Sequence, residues 1–297
     1  MNAHAPRQNL ASMSQVVIGS KTQIVLGERA PGSGYLGPLH SGARPCLAME
    51  LTDGVSFWPD KIAARLATRD PFESWARLMV ETQADLGCLA LSGAVESDVR
   101  SYARDVVKIA EQIMAVSGLP LVLRGTGDAE VDNVVLPEVA GALAGQRLLI
   151  GPVTEHNYRE IALACVKGGH AVVAESPIDI NIAKQLNILL TELGVPLDSI
   201  VMDPTSGGLG YGIEYTYSIM EKARLAAIQG DKMLSCPMIC FVGAENWKLK
   251  EASTEWEAAA AVALIMSSAQ IVVMRDPEAI GMVARQLELL WSEGANP

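Results

Sequence analysis

A glycine-rich turn, Met202-Asp-Pro-Thr-Ser-Gly-Gly-Leu-Gly-Tyr-Gly-Ile-Glu-Tyr215, joins an apolar run to a segment of helical periodicity. The preceding run, Ser199–Met202, predicts a buried strand, and Glu214–Gln229 predicts a helix. Glycine tolerates positive φ and lets another group approach the backbone closely. Four glycines lie within six positions of this turn: Gly207, Gly208, Gly210 and Gly212. Such a turn at a strand exit is typical of ligand-bearing loops in α/β proteins.

The same succession of a short apolar run and a longer helical pattern recurs along the chain. The predicted strands are Cys46–Leu51, Leu86–Leu91, Leu121–Arg124, Leu148–Gly151, Ala171–Ala174, Ser199–Asp203, Met238–Val242 and Ile271–Met274. The predicted helices are Glu73–Ala84, Val99–Val116, Val134–Leu143, His156–Lys167, Ile180–Leu193, Glu214–Gln229, Glu255–Met266 and Pro277–Leu290. Continuous apolar runs are typical of parallel strands that are buried on both faces. The succession predicts a (β/α)8 TIM barrel, with a doubly wound open sheet as the alternative.

The N-terminal part of the chain differs from this pattern. Val16–Leu26 holds two β-rich runs around Gly-Ser-Lys, which predicts a β-hairpin that caps the barrel bottom. Ala30–Arg44 is rich in Gly and Pro and predicts a loop. We therefore divide the chain into an N-terminal segment, residues 1–44, and a TIM-barrel domain, residues 45–297.

Composition narrows the class of partner. The 297 residues carry a net charge of −11, which disfavours nucleic acid and anionic membrane surfaces. Met1–Ser14 is polar and does not resemble a secretory signal, and the polar residues within Ala258–Met274 disfavour a membrane span. The five scattered cysteines indicate reduced thiols. We expect a cytoplasmic protein that binds proteins or small molecules.

The sequence offers little for metal or nucleophilic chemistry. The four histidines have no paired spacing, and Cys236 and Cys240 flank Pro237 with no second pair nearby. The chain has no Gly-x-Ser-x-Gly motif. We therefore predict no catalytic residue and no metal site on this chain, and we expect the thiols to be buried core residues.

Polar residues follow most of the predicted strands, and in a barrel they share the C-terminal face. The acidic ones include Asp53, Glu175, Asp179 and Asp203. These carboxylates are candidates to bind the donor groups of a heterocycle, but helix capping is an equally good interpretation, above all for Asp179. The glycines have an alternative too, which is close backbone packing. Four prolines (Pro152, Pro177, Pro204 and Pro277) are predicted to lie just past strand ends.

Three stretches carry a resemblance to a known family: Ser176–Leu190, Val201–Met220 and Gln229–Leu234. They resemble the small (delta) subunit of the corrinoid iron-sulfur protein, part of the acetyl-CoA decarbonylase/synthase system. The resemblance is dense from Leu148 to Leu249 and resumes at Ala269–Val283. The connection between the predicted strand Met238–Val242 and the helix at Glu255 is shorter than we expect for a member of this family. Partner contacts are expected in this part of the chain.

The resemblance implies a TIM barrel related to pteridine-dependent methyltransferases. It also implies a large (gamma) subunit that carries an iron-sulfur cluster and binds a corrinoid (cobalamin). That corrinoid would take a methyl group from methyltetrahydrofolate or a related pterin, through a pterin methyltransferase. It would pass the group to acetyl-CoA synthase in the reductive acetyl-CoA (Wood-Ljungdahl) pathway. The small subunit would form a heterodimer with the large one and help to shelter the corrinoid without chemistry of its own.

The expected corrinoid-binding or interface residues lie at strand exits. They are, in the first place, Gly207, Gly208, Gly210, Tyr211 and Gly212, and in the second place Ser176, Asp179 and Asn181. The alternative function is a free-standing pterin-dependent methyltransferase in which Asp203 and Asn181 would bind the pterin. A barrel paralogue that has lost its partner is a third possibility.

Overall fold

The fold is that of a computed structural model, which describes residues 13–27, 44–54, 60–66, 70–93, 98–210, 212–248 and 253–292. The strands are β1 (Val16–Ile18), β2 (Ile24–Leu26), β3 (Cys46–Thr52), β4 (Leu86–Ala90), β5 (Leu121–Arg124), β6 (Leu149–Val153), β7 (Ala171–Glu175), β8 (Ile200–Asp203), β9 (Ile239–Cys240) and β10 (Ile271–Met274). The helices are α1 (Asp60–Arg65), α2 (Pro71–Glu81), α3 (Val99–Ser117), α4 (Ala129–Ala142), α5 (Tyr158–Gly168), α6 (Ile180–Glu192), α7 (Ile213–Ile228), α8 (Val242–Asn246), α9 (Thr254–Met266) and α10 (Pro277–Ser292).

Eight parallel strands form the barrel. Their order is β8-β7-β6-β5-β4-β3-β10-β9, and every neighbouring pair runs parallel. The two ends of this sheet meet where Met202 of β8 bridges to Met238, just before β9, and the Met202 amide donates to the Pro237 carbonyl at 2.8 Å. The predicted TIM barrel is therefore confirmed, with helices in the connections between its strands.

Local sequence signals explain where the helices begin and end. The side chains of Asp70, Asp98 and Asp179 accept amide hydrogens from the first turns of α2, α3 and α6. Gly118 and Gly169 end α3 and α5 in the left-handed conformation, which glycine adopts without steric cost. Because the eight strands are parallel, the βα loops lie at one end of the barrel and the αβ loops at the other.

The N-terminal hairpin closes the barrel bottom, as predicted. Val16 pairs with Leu26 across the antiparallel ladder of β1 and β2. Val16, Ile18 and Leu26 are buried and belong to the hydrophobic cluster inside the barrel. That cluster includes the residues that begin β3, β4, β6 and β7, namely Cys46, Leu86, Leu149 and Ala171. The hairpin therefore removes the lower end of the barrel from water.

Several boundaries differ from the prediction. The predicted strand Met238–Val242 is only Ile239–Cys240 because α8, which was not predicted, begins at Val242. Pro152 lies inside β6, not beyond it, and the register to β7 shifts between Ile150 and Val153. Helix α4 begins at Ala129, ahead of the predicted Val134, because Asp128 caps it.

Helix α1, like α8, was not predicted. Other predictions fall partly outside the described residues. The predicted loop Ala30–Arg44 lies outside them except for Arg44, and so do residues 249–252 of the connection that was predicted to be shortened. Among the helices that the structure describes, none has the length and apolarity needed to cross a membrane.

Candidate functional site at the barrel mouth

The C-terminal mouth of the barrel carries a charged layer, and the two-residue period of the strands explains it. Side chains two positions apart point to the same face of a strand. Ala48, Val122, Val173, Val201 and Val273 belong to the apolar cluster inside the barrel. Two residues further along each strand direction come Glu50, Arg124, Glu175, Asp203 and Arg275. The inward-facing side chains therefore change from apolar to charged within two residues along each strand, toward the mouth.

Glu50 holds two arginines at the centre of this layer. Its side chain has no exposed area, and its Oε1 accepts from Arg275 Nε at 2.8 Å and from Arg275 Nη2. Its Oε2 lies 3.3 Å from Arg124 Nη1, and the Arg124 guanidinium stacks 4.4 Å from the centre of the Phe241 ring. A buried carboxylate that lost these partners would be strongly disfavoured. The bridge thus fixes β3, β5 and β10 relative to one another at the mouth.

Asp203 and Glu175 form a second acidic part of the layer, at the ends of the neighbouring strands β8 and β7. Burial, and next the charge of Glu175, raises the pKa of Asp203 to about 7, although the Thr205 amide donates to its Oδ1 at 2.9 Å. Burial also raises the pKa of Glu175, and Arg124 opposes that rise. The Asp203 carboxyl therefore exchanges a proton near neutral pH, a property that is common in functional sites.

The glycine-rich turn folds back on itself above β8. A β-carbon on Gly207 would lie 2.3 Å from the carbonyl carbon of Gly212, so only glycine fits there. Gly208 bridges to Gly212, and its carbonyl accepts from the Ile213 amide at 3.2 Å. These contacts support the packing interpretation for three of the predicted site glycines. Gly210 is instead exposed at the tip of the turn with a φ of +78°, and Tyr211 lies outside the described residues.

Two hydrogen bonds order this turn internally, and a third joins it to the preceding βα loop. Thr216 Oγ1 accepts from the Gly207 amide at 2.8 Å and donates to the Thr205 carbonyl at 2.9 Å. Thr205 Oγ1 then donates to the carbonyl of Ser176 at 2.7 Å. Thr205 is one of the polar residues that follow the predicted strands, whereas Thr216 was not singled out from the sequence, because threonines near a helix start are common. They hold the two loops as one unit.

This unit contains backbone strain on both sides. Thr205 has a φ of +64° and Ile178 a φ of +49°, which β-branched residues rarely adopt. Such conformations cost about 1–3 kcal/mol each and persist where the surrounding structure imposes them, often at functional sites. Ile178 is also exposed, with 36% of its surface accessible. Ile178 is therefore an exposed apolar side chain that is held in a strained backbone conformation on the C-terminal face.

Ser176, Asp179 and Asn181, the binding residues expected in the second place, have different surroundings. Ser176 is buried, and its amide donates to the Asp203 carbonyl at 2.9 Å. Asp179 caps α6, since its Oδ1 accepts from the amides of Asn181 at 2.7 Å and Ile182 at 3.3 Å. Asn181 is exposed in the first turn of α6. The capping interpretation thus accounts for Asp179 in this structure, while Asn181 is accessible.

Glu257 is a central residue that the sequence analysis missed. It is fully buried, and its carboxylate accepts from the Trp247 indole at 3.0 Å, the Arg275 amide at 2.5 Å and the Asp276 amide at 3.2 Å. It therefore ties the described ends of the connection between α8 and α9 to the loop that bears Arg275. The only sequence signal was a lone acid beside the alanine run Ala258–Ala261, which is not specific.

The five cysteines are buried and unpaired. Burial raises the pKa of Cys46, Cys165 and Cys236 to about 12 and raises the pKa of Cys88 and Cys240 as well. These thiols are therefore protonated at neutral pH, and a protonated thiol is neither a nucleophile nor a metal ligand. Within the described ranges, no group of three or more His, Cys, Asp or Glu side chains is arranged to hold a metal ion.

Residues 43–289 match the family model described as CO dehydrogenase/acetyl-CoA synthase delta subunit. The chain belongs to this family. The delta subunit of the acetyl-CoA decarbonylase/synthase complex from Methanothermobacter thermautotrophicus is 30% identical over 292 residues, which cover 89% of this chain and 74% of that protein. The one from Methanopyrus kandleri is 29% identical over 74% of this chain and 58% of its own length.

The match to Archaeoglobus fulgidus is 36% identical but shorter, since it covers 60% of this chain and 40% of that delta subunit. Delta-subunit relatives are thus matched over 40–74% of their own length. Among solved structures, dihydropteroate synthase from Xanthomonas albilineans superposes with a TM-score of 0.62 at 17% identity, over 86% of this chain and 95% of that one. Dihydropteroate synthase from Thermus thermophilus gives 0.58 at 18% identity, over 93% and 100%. At this identity the likeness establishes the fold, a TIM barrel, and nothing more.

Proposed function

We propose that this chain is the small (delta) subunit of a corrinoid iron-sulfur protein. It would help to hold the corrinoid that carries a methyl group from methyltetrahydrofolate or a related pterin to acetyl-CoA synthase. The observation that carries this proposal is the family match across residues 43–289, which includes all eight barrel strands. The partners are then the large (gamma) subunit, a pterin methyltransferase and acetyl-CoA synthase, in the cytoplasm.

The C-terminal face offers a fitting surface for a corrinoid. Ile178 is an exposed apolar side chain, and Gly210 leaves exposed backbone without a side chain on the next loop. The hydrogen bond from the Thr205 hydroxyl to the Ser176 carbonyl fixes the two loops relative to each other. When bound, the corrinoid supplies the cobalt that carries the methyl group. The role of this chain is to cover the macrocycle and exclude water, with Ile178 and Gly210 in contact and Gly207, Gly208 and Gly212 shaping the turn.

The chemistry of the thiols supports a cluster on the partner rather than here. All five are buried and protonated, so none is positioned to bind iron from solution without unfolding part of the barrel. The charged layer has a structural explanation as well, because the buried Glu50 carboxylate forms ion pairs with both Arg124 and Arg275. Both points favour a subunit that binds and shelters a group over one that performs nucleophilic catalysis.

The test is to co-express the chain with the large subunit from the same organism, purify it anaerobically and measure cobalt and corrinoid absorbance per complex. We expect a stoichiometric complex that contains corrinoid. Ile178→Asn removes the apolar contact while asparagine tolerates the left-handed conformation, so we expect several-fold less corrinoid in a folded complex. Val80→Asn, at an exposed valine of α2, is the control and leaves corrinoid unchanged. A wild-type complex without corrinoid contradicts the proposal.

A free-standing pterin-dependent methyltransferase is the second candidate, favoured by the carboxyls of Asp203 and Glu175 at the mouth. Dihydropteroate synthase from Yersinia pestis, whose barrel is similar (TM-score 0.58, 18% identity, 83% of this chain and 92% of that one), has been solved with a pterine-sulfa conjugate. Calorimetric titration of the isolated chain with methyltetrahydrofolate separates the candidates. Micromolar binding that Asp203→Asn abolishes would move the assignment to the methyltransferase, whereas we expect no measurable binding.

A further inference from the structure

Two exposed aromatic side chains lie beside the glycine-rich turn. Tyr215, in the first turn of α7, has 63% of its surface accessible, and Trp256, in the first turn of α9, has 40%. Several large apolar side chains are exposed in the described part of the chain, and Tyr215 and Trp256 are the aromatic ones among them. A β-carbon on Gly210 would lie 3.9 Å from the Trp256 ring, so the turn and the indole are neighbours. Tyrosine and tryptophan are enriched at protein interfaces, where they supply much of the binding energy.

Both helix starts that carry these rings are fixed. The Ser253 hydroxyl accepts from the Trp256 amide at 3.2 Å, and the following residue, Glu257, binds three donors from two other segments. Thr216, the residue after Tyr215, is tied to the glycine-rich turn. A surface that is already ordered loses little conformational entropy when a partner binds. The aromatic pair is therefore preorganised for contact.

A carboxylate precedes each ring in the sequence. Glu214 and Glu255 are exposed in the same first turns. The helix dipole explains why acidic residues occur there, but it does not explain exposed aromatic rings next to them. Guanidinium groups stack on such rings and pair with carboxylates at the same time. Together with the net charge of −11, this chemistry fits a partner surface rich in arginine or lysine.

We propose that Tyr215 and Trp256, with Glu214 and Glu255, form a docking surface for a basic polypeptide segment of the large subunit. This inference rests on the proposed function, because it takes that subunit as the partner. The docking surface lies beside the loops proposed to cover the corrinoid, so polypeptide and macrocycle are bound by adjacent parts of one face.

The test measures the affinity of this chain for the large subunit holding its corrinoid, by sedimentation or calorimetry at low and high salt. We expect Trp256→Ala to weaken binding at least about tenfold and Tyr215→Ala several-fold, as for aromatic anchors of interfaces. The double variant Glu214→Lys with Glu255→Lys should weaken it about tenfold at low salt, and that difference should shrink in about 0.5 M salt. Circular dichroism verifies that each variant folds.

Matched controls come from the rest of the surface. Leu289→Ala removes a side chain that is 62% exposed on α10, and Glu111→Lys reverses an exposed charge on α3. We expect neither to change affinity, and we expect corrinoid per assembled complex to stay constant in the docking variants. Wild-type affinity in both Tyr215→Ala and Trp256→Ala would overturn the docking surface while leaving the proposed function intact. A wild-type chain that does not bind the large subunit would instead refute the proposed function.

Discussion

The two ends of the barrel are built from the same strands and have opposite interiors. At the bottom, Ile18 and Leu26 of the hairpin pack on strand starts, and the cluster there is apolar. At the mouth, the same inward-facing positions carry Glu50 with its two arginines, and Asp203 with Glu175. The two ends of the barrel therefore have different roles. The bottom excludes water and supplies stability, while the mouth holds charges that are stable only as a mutually compensated set.

Removing the central charge of the mouth, Glu50, is expected to have the largest effect on stability. Glu50→Gln leaves Arg124 and Arg275 without their shared, fully buried carboxylate, so we expect a loss of about 3–5 kcal/mol in the free energy of unfolding. Urea denaturation followed by circular dichroism measures it. Glu73→Gln, which breaks an exposed pair with Arg77, is the control and should cost less than about 1 kcal/mol. Equal effects from both substitutions would mean that the mouth is not a compensated buried set.

The bottom should respond differently. Ile18→Ala opens a cavity between the hairpin and the strands, and we expect a loss of about 3 kcal/mol, within the range of buried aliphatic truncations. Val25→Ala, at a position that is 38% exposed on the same hairpin, should change stability little. Because the cavity lies at the far end of the barrel, corrinoid content of the assembled complex should stay at the wild-type level. Corrinoid loss in Ile18→Ala would show that the two ends are coupled.

The Asp203 carboxyl at the mouth makes the free energy of unfolding depend on pH. Its raised pKa, about 7, means that the folded state holds the proton more tightly than the unfolded chain does. The free energy of unfolding should therefore fall as pH rises from about 4 to about 7, by a total of about 4 kcal/mol from this group, because each unit of pKa shift contributes about 1.4 kcal/mol. Asp203→Asn removes that contribution, so the difference between variant and wild type should grow in favour of the variant over this range. A constant difference would mean that the carboxyl is not held neutral by burial.

Sequence reasoning recovered the barrel because its signals are local. Each buried strand is a short apolar run, the helices between the strands show helical periodicity, and Asp179 was already interpreted as a possible helix cap. It did not recover the pairing of Glu50 with Arg275, which are 225 positions apart and meet only when the barrel closes. The self-packing of Gly207 against Gly212 was weighed only as an alternative, since spacing alone does not distinguish a turn that packs on itself from one that contacts a ligand.

The smallest effect concerns Asp179, which was expected at the corrinoid surface and caps α6 in the structure. Asp179→Ala should cost about 1 kcal/mol, the usual value for a lost N-cap. Asp98→Ala is a matched control, since Asp98 caps α3 through the same two amide contacts.

If capping is the whole role of Asp179, both variants lose similar stability and their complexes keep wild-type corrinoid. If Asp179 also contacts the corrinoid, only Asp179→Ala loses the cofactor, and the loss exceeds what its reduced stability explains. Measuring unfolding free energy and corrinoid content on the same preparations therefore separates a cap from a ligand. It also tests whether charges at the mouth act on the macrocycle or only on the barrel that supports it.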